Sequence, residues 1–160
     1  MDTQRRISIM ELTLTRQLKT NVAADTKVST LIGINTTMLA VLAALITRAG
    51  EWSAGMILLL ALSAGGLLIG LLFLSLSSVP RTSKTRSSIV FFGSIARMDT
   101  ETYGAAVRNI TAEDYLEDLI QQTHSTAAIA TQKYRWIQRA QMAFYISIIP
   151  WLITVYELAR

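Results

Sequence analysis

Apolar residues gather in three long uncharged runs, and the stretches between them repeat their apolar positions every three or four residues. Residues 28–46 (VSTLIGINTTMLAVLAALI) and 54–76 (AGMILLLALSAGGLLIGLLFLSL) carry no charge over 19 and 23 residues. A bilayer core of ~30 Å takes ~20 apolar residues of helix, because unpaired backbone amides are too costly in hydrocarbon. Both runs are therefore read as spans. Residues 47–53 between them hold Arg48, Gly50, Glu51 and Trp52. That composition predicts a tight turn with an interfacial aromatic, closing a hairpin. Residues 140–156 (AQMAFYISIIPWLITVY) form a third uncharged run of 17 residues containing Pro150. It is read as a third span, a buried or interfacial helix being the alternative. The first run is too long for the apolar part of a cleaved signal peptide, and 27 residues with both charge signs precede it.

The polar stretches predict helices that run into the spans. Ile7, Met10, Leu14, Leu18 and Val22 recur at helical spacing, and no Gly or Pro intervenes before Gly33. Residues 4–27 should thus continue into the first span. Further on, Thr111 is placed as an N-cap with Asp114 three residues later, a capping-box arrangement, and Ile110 and Tyr115 are spaced as a hydrophobic staple. Glu113, Asp114, Glu117 and Asp118 suit a helix N-terminus. Leu116, Ile120, Thr123, Ala127, Ala130, Tyr134 and Ile137 then step by four and three, which predicts a heptad seam with a small centre. With no breaker before Pro150, residues 112–156 should form one rod of about 65–70 Å at 1.5 Å per residue, bent at the proline. Its natural partner is the N-terminal helix, of the same subunit or a neighbour. Residues 77–88, rich in Ser, Thr and basic side chains with Pro80, read as a loop. Residues 89–98 (IVFFGSIARM) fit a short strand or interfacial turn better than a helix, and Asp99 is placed to cap a short helix to about Val107.

Charge placement orients the spans. Of the 15 Lys and Arg, five lie in residues 1–27 and eight in residues 77–139, with Arg48 alone in the turn and Arg160 alone in the tail. Basic loops stay in the cytoplasm, so residues 1–27 and 77–139 are expected inside and the C-terminus in the periplasm. The expected fold class is an all-α membrane protein with three transmembrane helices and a cytoplasmic helical stalk formed by extensions of the first and third spans. Its parts are a cytoplasmic N-terminal helix (1–27), a transmembrane hairpin (28–76), a cytoplasmic loop plus long helix (77–139), the third span (140–156) and a tail (157–160).

Composition agrees. Hydrophobic residues make up 51% of the 160 and charged residues 16%, against roughly 25% charged in a soluble domain; mean hydropathy is +0.39. There is no cysteine and His124 is the one histidine, which excludes thiolate chemistry and a multi-histidine metal site. No P-loop, HExxH, GxSxG or EF-hand pattern occurs. The expectation is a protein that is not an enzyme, with no metal and no cofactor.

The remaining candidates each have two readings. Asn35, with Thr36 and Thr37, either bridges helices by hydrogen bonds or lines a pore. The absence of charge within the spans disfavours a secondary transporter. Ser63, Gly66 and Gly70 share one face of the second span, where small residues let helices approach, within one chain or between chains. Lys133, Arg135 and Arg139 beside Tyr134 and Trp136 fit an interfacial belt or a phosphate site with a stacking aromatic; nucleic-acid binding would need a longer basic face. Phe91, Phe92 and Gly93 with Arg97 either pack or supply a stacking ring, close backbone approach and a guanidinium. His124 beside Thr123 and Ser125 is either solvated or part of a site.

Three groups of residues carry a resemblance. Ala24, Asp25, Thr26 and Lys27 lead into a span with Gly33, Ile34 and Asn35. The run FFGSIA from Phe91 to Ala96 is followed by an acidic helix start and Tyr103. Asp118 and Leu119 lead through His124 to Ala130, Thr131, Gln132, Lys133, Tyr134 and Arg135 before the last span. From about residue 20 to 145 the chain resembles the small transmembrane effectors of bacterial Pycsar anti-phage systems, related to other two- and three-span defence effectors. The resemblance implies an antiviral effector of the inner membrane that senses cyclic UMP or cyclic CMP made by a pyrimidine nucleotide cyclase. It further implies impaired membrane integrity, hence abortive infection. The expected partners are the lipid bilayer, further copies of the chain in a homo-oligomer, and the cyclase through its product. Chemistry, rather than the resemblance, suggests a nucleotide between residues 91–97 and 133–135, with phosphate on Arg97, Lys133 or Arg135 and the base on Phe92 or Tyr134. A structural subunit of a membrane complex and a small ligand-gated ion channel are the alternative functions.

Overall fold

The computed structural model describes residues 2–47, 52–79 and 88–160. The expected turn residues Arg48, Gly50 and Glu51, and the loop residues 80–87, lie outside them. Among the described residues five helices follow in order: α1 (Thr3–Ile46), α2 (Ala54–Ser78), α3 (Phe92–Ile95), α4 (Thr100–Asn109) and α5 (Ala112–Ala159). The described residues contain no strand. α1, α2 and α5 are each long and apolar enough to cross a membrane. The unbroken N-terminal stretch does run into the first apolar segment as one helix, and Pro150 lies inside α5.

The chain divides into two units, residues 1–23 with 80–131 and residues 24–79 with 132–160. In the first, Ile7, Leu14 and Leu119 form a buried cluster that Met10, Val90, Tyr115 and Leu116 pack against. α1 and α5 run parallel there: Tyr115 Oη donates to Glu11 Oε1 at 2.9 Å, and Thr3 Oγ1 to Glu113 Oε1 at 3.4 Å. The start of α5 follows its sequence signal. The Asp114 amide donates to Thr111 Oγ1 at 3.1 Å, and that hydroxyl donates to Asp114 Oδ2 at 2.6 Å. α4 begins in the same way, with Thr102 N donating to Asp99 Oδ1 at 2.8 Å.

In the second unit Ala24, Val28, Leu74, Ile137 and Ala140 make the buried cluster. Small residues set its packing. A Cβ at Gly66 would collide with the Ser147 hydroxyl, and one at Gly70 would lie 3.1 Å from Asn35 Oδ1. The face that carries Gly66 and Gly70 is thus occupied by α1 and α5 of the same chain. Trp151 Nε1 donates to the Met38 carbonyl at 3.1 Å, and Phe73 stacks on Trp136 with centroids 5.8 Å apart.

This unit is inside-out by the standard of a water-soluble protein. Asn35 is 1% exposed and Ser63, Ser147 and Thr154 are fully buried, while Ile146, Ile149, Leu58 and Leu68 stand on the surface. Four buried polar side chains donate within their own helices: Asn35 Nδ2 to Leu31 O, Ser63 Oγ to Leu59 O, Ser147 Oγ to Ala143 O and Thr154 Oγ1 to Pro150 O, while Asn35 Oδ1 and Ser77 Oγ are buried without a partner. A hydrocarbon solvent explains the arrangement, since outward Leu and Ile lose nothing there and small or hydroxyl residues let helices approach. The chain is a multi-pass membrane protein.

Two expectations are corrected. Residues 89–98 form neither a strand nor a plain turn but lead into the short helix α3. Ser88 Oγ accepts from the amides of Val90 and Phe91, and the Phe91 carbonyl accepts from Ser94 and Ile95. These local bonds satisfy the backbone without a ladder. The seam of α5 also differs from the predicted one. Leu119, Thr123, Thr126, Ala130, Ile137, Ala140, Ser147, Thr154 and Leu158 are buried, and Lys133, Phe144 and Trp151 complete the seven-residue period. Ile120 is 42% exposed. In α1, Leu18 and Val22 are exposed, and the seam passes through Gln17 and Asn21 to Ala24.

Candidate functional site

A cavity of about 360 Å³ opens within the first unit, in the ~300–1,000 Å³ range of small-molecule sites. Its walls come from α1 (Leu14, Leu18, Asn21), the 90–92 segment (Val90, Phe91, Phe92) and α5 (Gln122, Ser125, Thr126, Ile129). None of these side chains is charged. The 88–92 segment is held against α5 because the Ile89 amide donates to Asp118 Oδ2 at 2.9 Å. Ser88 Oγ accepts from the Phe91 amide at 2.8 Å and fixes the following residue. Phe91 is buried, while Phe92 is 72% exposed and tilts over it, ring centroids 4.8 Å apart. Gly93 is required by this pair, since a Cβ there would lie 2.6 Å from Phe91 Cε1.

Two amides give the cavity its polarity. Asn21 Oδ1 and Gln122 Oε1 are buried and accept no hydrogen bond. Ser125 and Thr126 add hydroxyls one turn of α5 further on. In the same unit, burial pushes the Tyr115 hydroxyl above its ordinary pKa, and its bond to Glu11 adds to the shift. Asp99, at the start of α4, titrates below the usual carboxylate range because it accepts from the Thr102 amide and hydroxyl.

Of the residues singled out in the sequence, Phe91 and Phe92 line the cavity and Gly93 permits their arrangement. Arg97 and His124 are exposed in the same unit and do not line it. Lys133, Tyr134 and Arg135 belong to the second unit. There Lys133 Nζ pairs with Asp25 Oδ1 at 2.6 Å, Lys27 lies over the Tyr134 ring at 5.7 Å, and Arg135 is exposed. Asn21 and Gln122 were not singled out by their chemistry. The signal that could have found Asn21 is its place in the seven-residue step from Leu14 through Asn21 to Val28, an amide where the period calls for an apolar side chain.

No curated protein and no solved structure matches the chain. A family model does. Residues 9–158 match PycTM, the Pycsar effector protein domain, so the match takes in α2, α3 and α4 whole and nearly all of α1 and α5. The chain belongs to the Pycsar effector family and is a multi-pass membrane effector of antiviral defence.

Proposed function

We propose that the protein senses a cyclic pyrimidine nucleotide, cyclic UMP or cyclic CMP, on the cytoplasmic side of the inner membrane and then impairs that membrane. It does so without enzymatic activity and as a homo-oligomer. The observation that supports this most is the uncharged, aromatic-walled cavity of the first unit, set among the family's matched residues. Phe91 and Phe92 offer ring faces for a base, and amides and hydroxyls offer hydrogen bonds to it. The basic bias of residues 1–27 and 77–139 supports a cytoplasmic position for these parts, with the stalk formed by the extensions of α1 and α5. A ligand acts by preferring one of two states.

Two measurements test the reading. Calorimetric titration of the detergent-purified protein with cyclic UMP and cyclic CMP is expected to give saturable binding of at least one, weakened in Phe92→Ala. Vesicles carrying the protein are expected to leak dye on addition of that nucleotide. Absence of binding to both nucleotides would overturn the sensing role. Binding without leakage would overturn the membrane-impairing role.

A further inference from the structure

The cavity is polar without being charged, and that decides which end of a nucleotide it suits. Asn21 on α1 and Gln122 on α5 supply amides, Ser125 and Thr126 hydroxyls, and every other lining side chain is apolar. A cyclic phosphate carries a full negative charge, and a buried anion without a cationic partner is strongly disfavoured. A pyrimidine base, in contrast, is flat and neutral and presents an edge of adjacent N–H donors and C=O or ring-nitrogen acceptors. A side-chain amide carries the complementary pair, two N–H donors and a carbonyl acceptor. The two amide oxygens are also unsatisfied as they stand. A buried unpaired acceptor destabilises the fold. Two of them on facing helices of one cavity are a local defect that a hydrogen-bond donor in the cavity would relieve after modest rotation of the amides.

We infer that Asn21 and Gln122 read the base edge of the nucleotide, which enters base-first beside the Phe91 and Phe92 rings that line the cavity and leaves its cyclic phosphate at the open rim. This rests on the proposed sensing role and deepens it. It moves recognition away from Arg97, Lys133 and Arg135, of which Lys133 already holds Asp25. The same reasoning gives the amides an opposite effect on stability. Replacing either by leucine, similar in size, removes an unpaired buried oxygen and should not cost stability in the free protein.

The experiment compares wild type with Asn21→Leu and Gln122→Leu in detergent. Affinity for cyclic UMP and cyclic CMP is titrated, uridine and cytidine are included as phosphate-free probes, and melting temperature without nucleotide is the second readout. The expected result has three parts. Each variant loses about tenfold or more in affinity, each melts no lower than wild type, and the preferred base binds wild type as the plain nucleoside with most of its affinity retained. Variants that keep wild-type affinity, or that lose it together with a fall in melting temperature, overturn the assignment of the amides. Nucleosides that fail to bind where the cyclic nucleotides do overturn the base-first orientation. In each of those cases wild type still binds a cyclic pyrimidine and the sensing role stands. If wild type binds neither cyclic nucleotide, the sensing role falls and this inference with it.

Discussion

A methyl group at position 66 has no room, because the hydroxyl of Ser147 already occupies it and the Ala143 carbonyl is close behind. Gly66→Ala is therefore expected to cost about 1–3 kcal/mol of stability, the usual range for overpacking. Ser147→Ala in the same chain should recover most of it, read as melting temperature in detergent for both single variants and the pair. Additive losses would mean that the two positions do not meet. Titration offers a second check at this scale. The Tyr115 pKa is raised in the folded state by burial and by Glu11. Its contribution is thus fully present below the unfolded value of about 10.0 and fades as pH rises through the folded value. Stability of wild type should fall more steeply above pH 10 than that of Tyr115→Phe, measured by denaturation across alkaline pH.

At the scale of elements, the helices were largely legible and their faces less so. The apolar runs, the absence of breakers and the caps at Asp99 and Thr111 are local, and each appears where its residues predict. The seam of α5 was half legible. Thr123, Ala130 and Ile137 belong to both the predicted and the observed periods, but the other half passes through Leu119, Thr126 and Lys133 instead of Ile120, Ala127 and Tyr134. Hydrophobicity misleads here because a threonine whose position suits close approach is buried as readily as an isoleucine, and a lysine is drawn inward by Asp25. The amides that line the cavity, Asn21 and Gln122, were missed for the same reason: polar side chains at seam positions read as interruptions of the pattern. The register is testable. Leu119→Ala should cost about 2–5 kcal/mol, as buried leucines do, whereas Ile120→Ala, at an exposed position, should change stability by about 0.5 kcal/mol or less. Equal losses would restore the seam through Ile120.

For the whole molecule, α1, α2 and α5 are each long and apolar enough to cross a bilayer; three crossings would put the chain's ends on opposite sides, and charge predicts which end is where. Residues 1–27 and 77–139 together hold 13 of the 15 Lys and Arg, and the side holding Arg48 and Arg160 has the other two. The cost of moving a basic segment outward across the membrane makes that difference the basis of the expected topology. The chain has no cysteine, so single cysteines report position without a background. Ser8, Glu101 and Arg160 are exposed. With a membrane-impermeant maleimide applied to cells whose outer membrane has been opened, Arg160→Cys should label at once. Ser8→Cys and Glu101→Cys should label only after the inner membrane is lysed. Labelling of the Ser8→Cys and Arg160→Cys variants from one side would require an even number of crossings. One of α1, α2 and α5 would then lie along the bilayer, and charge would no longer assign the cavity of the first unit to the cytoplasm.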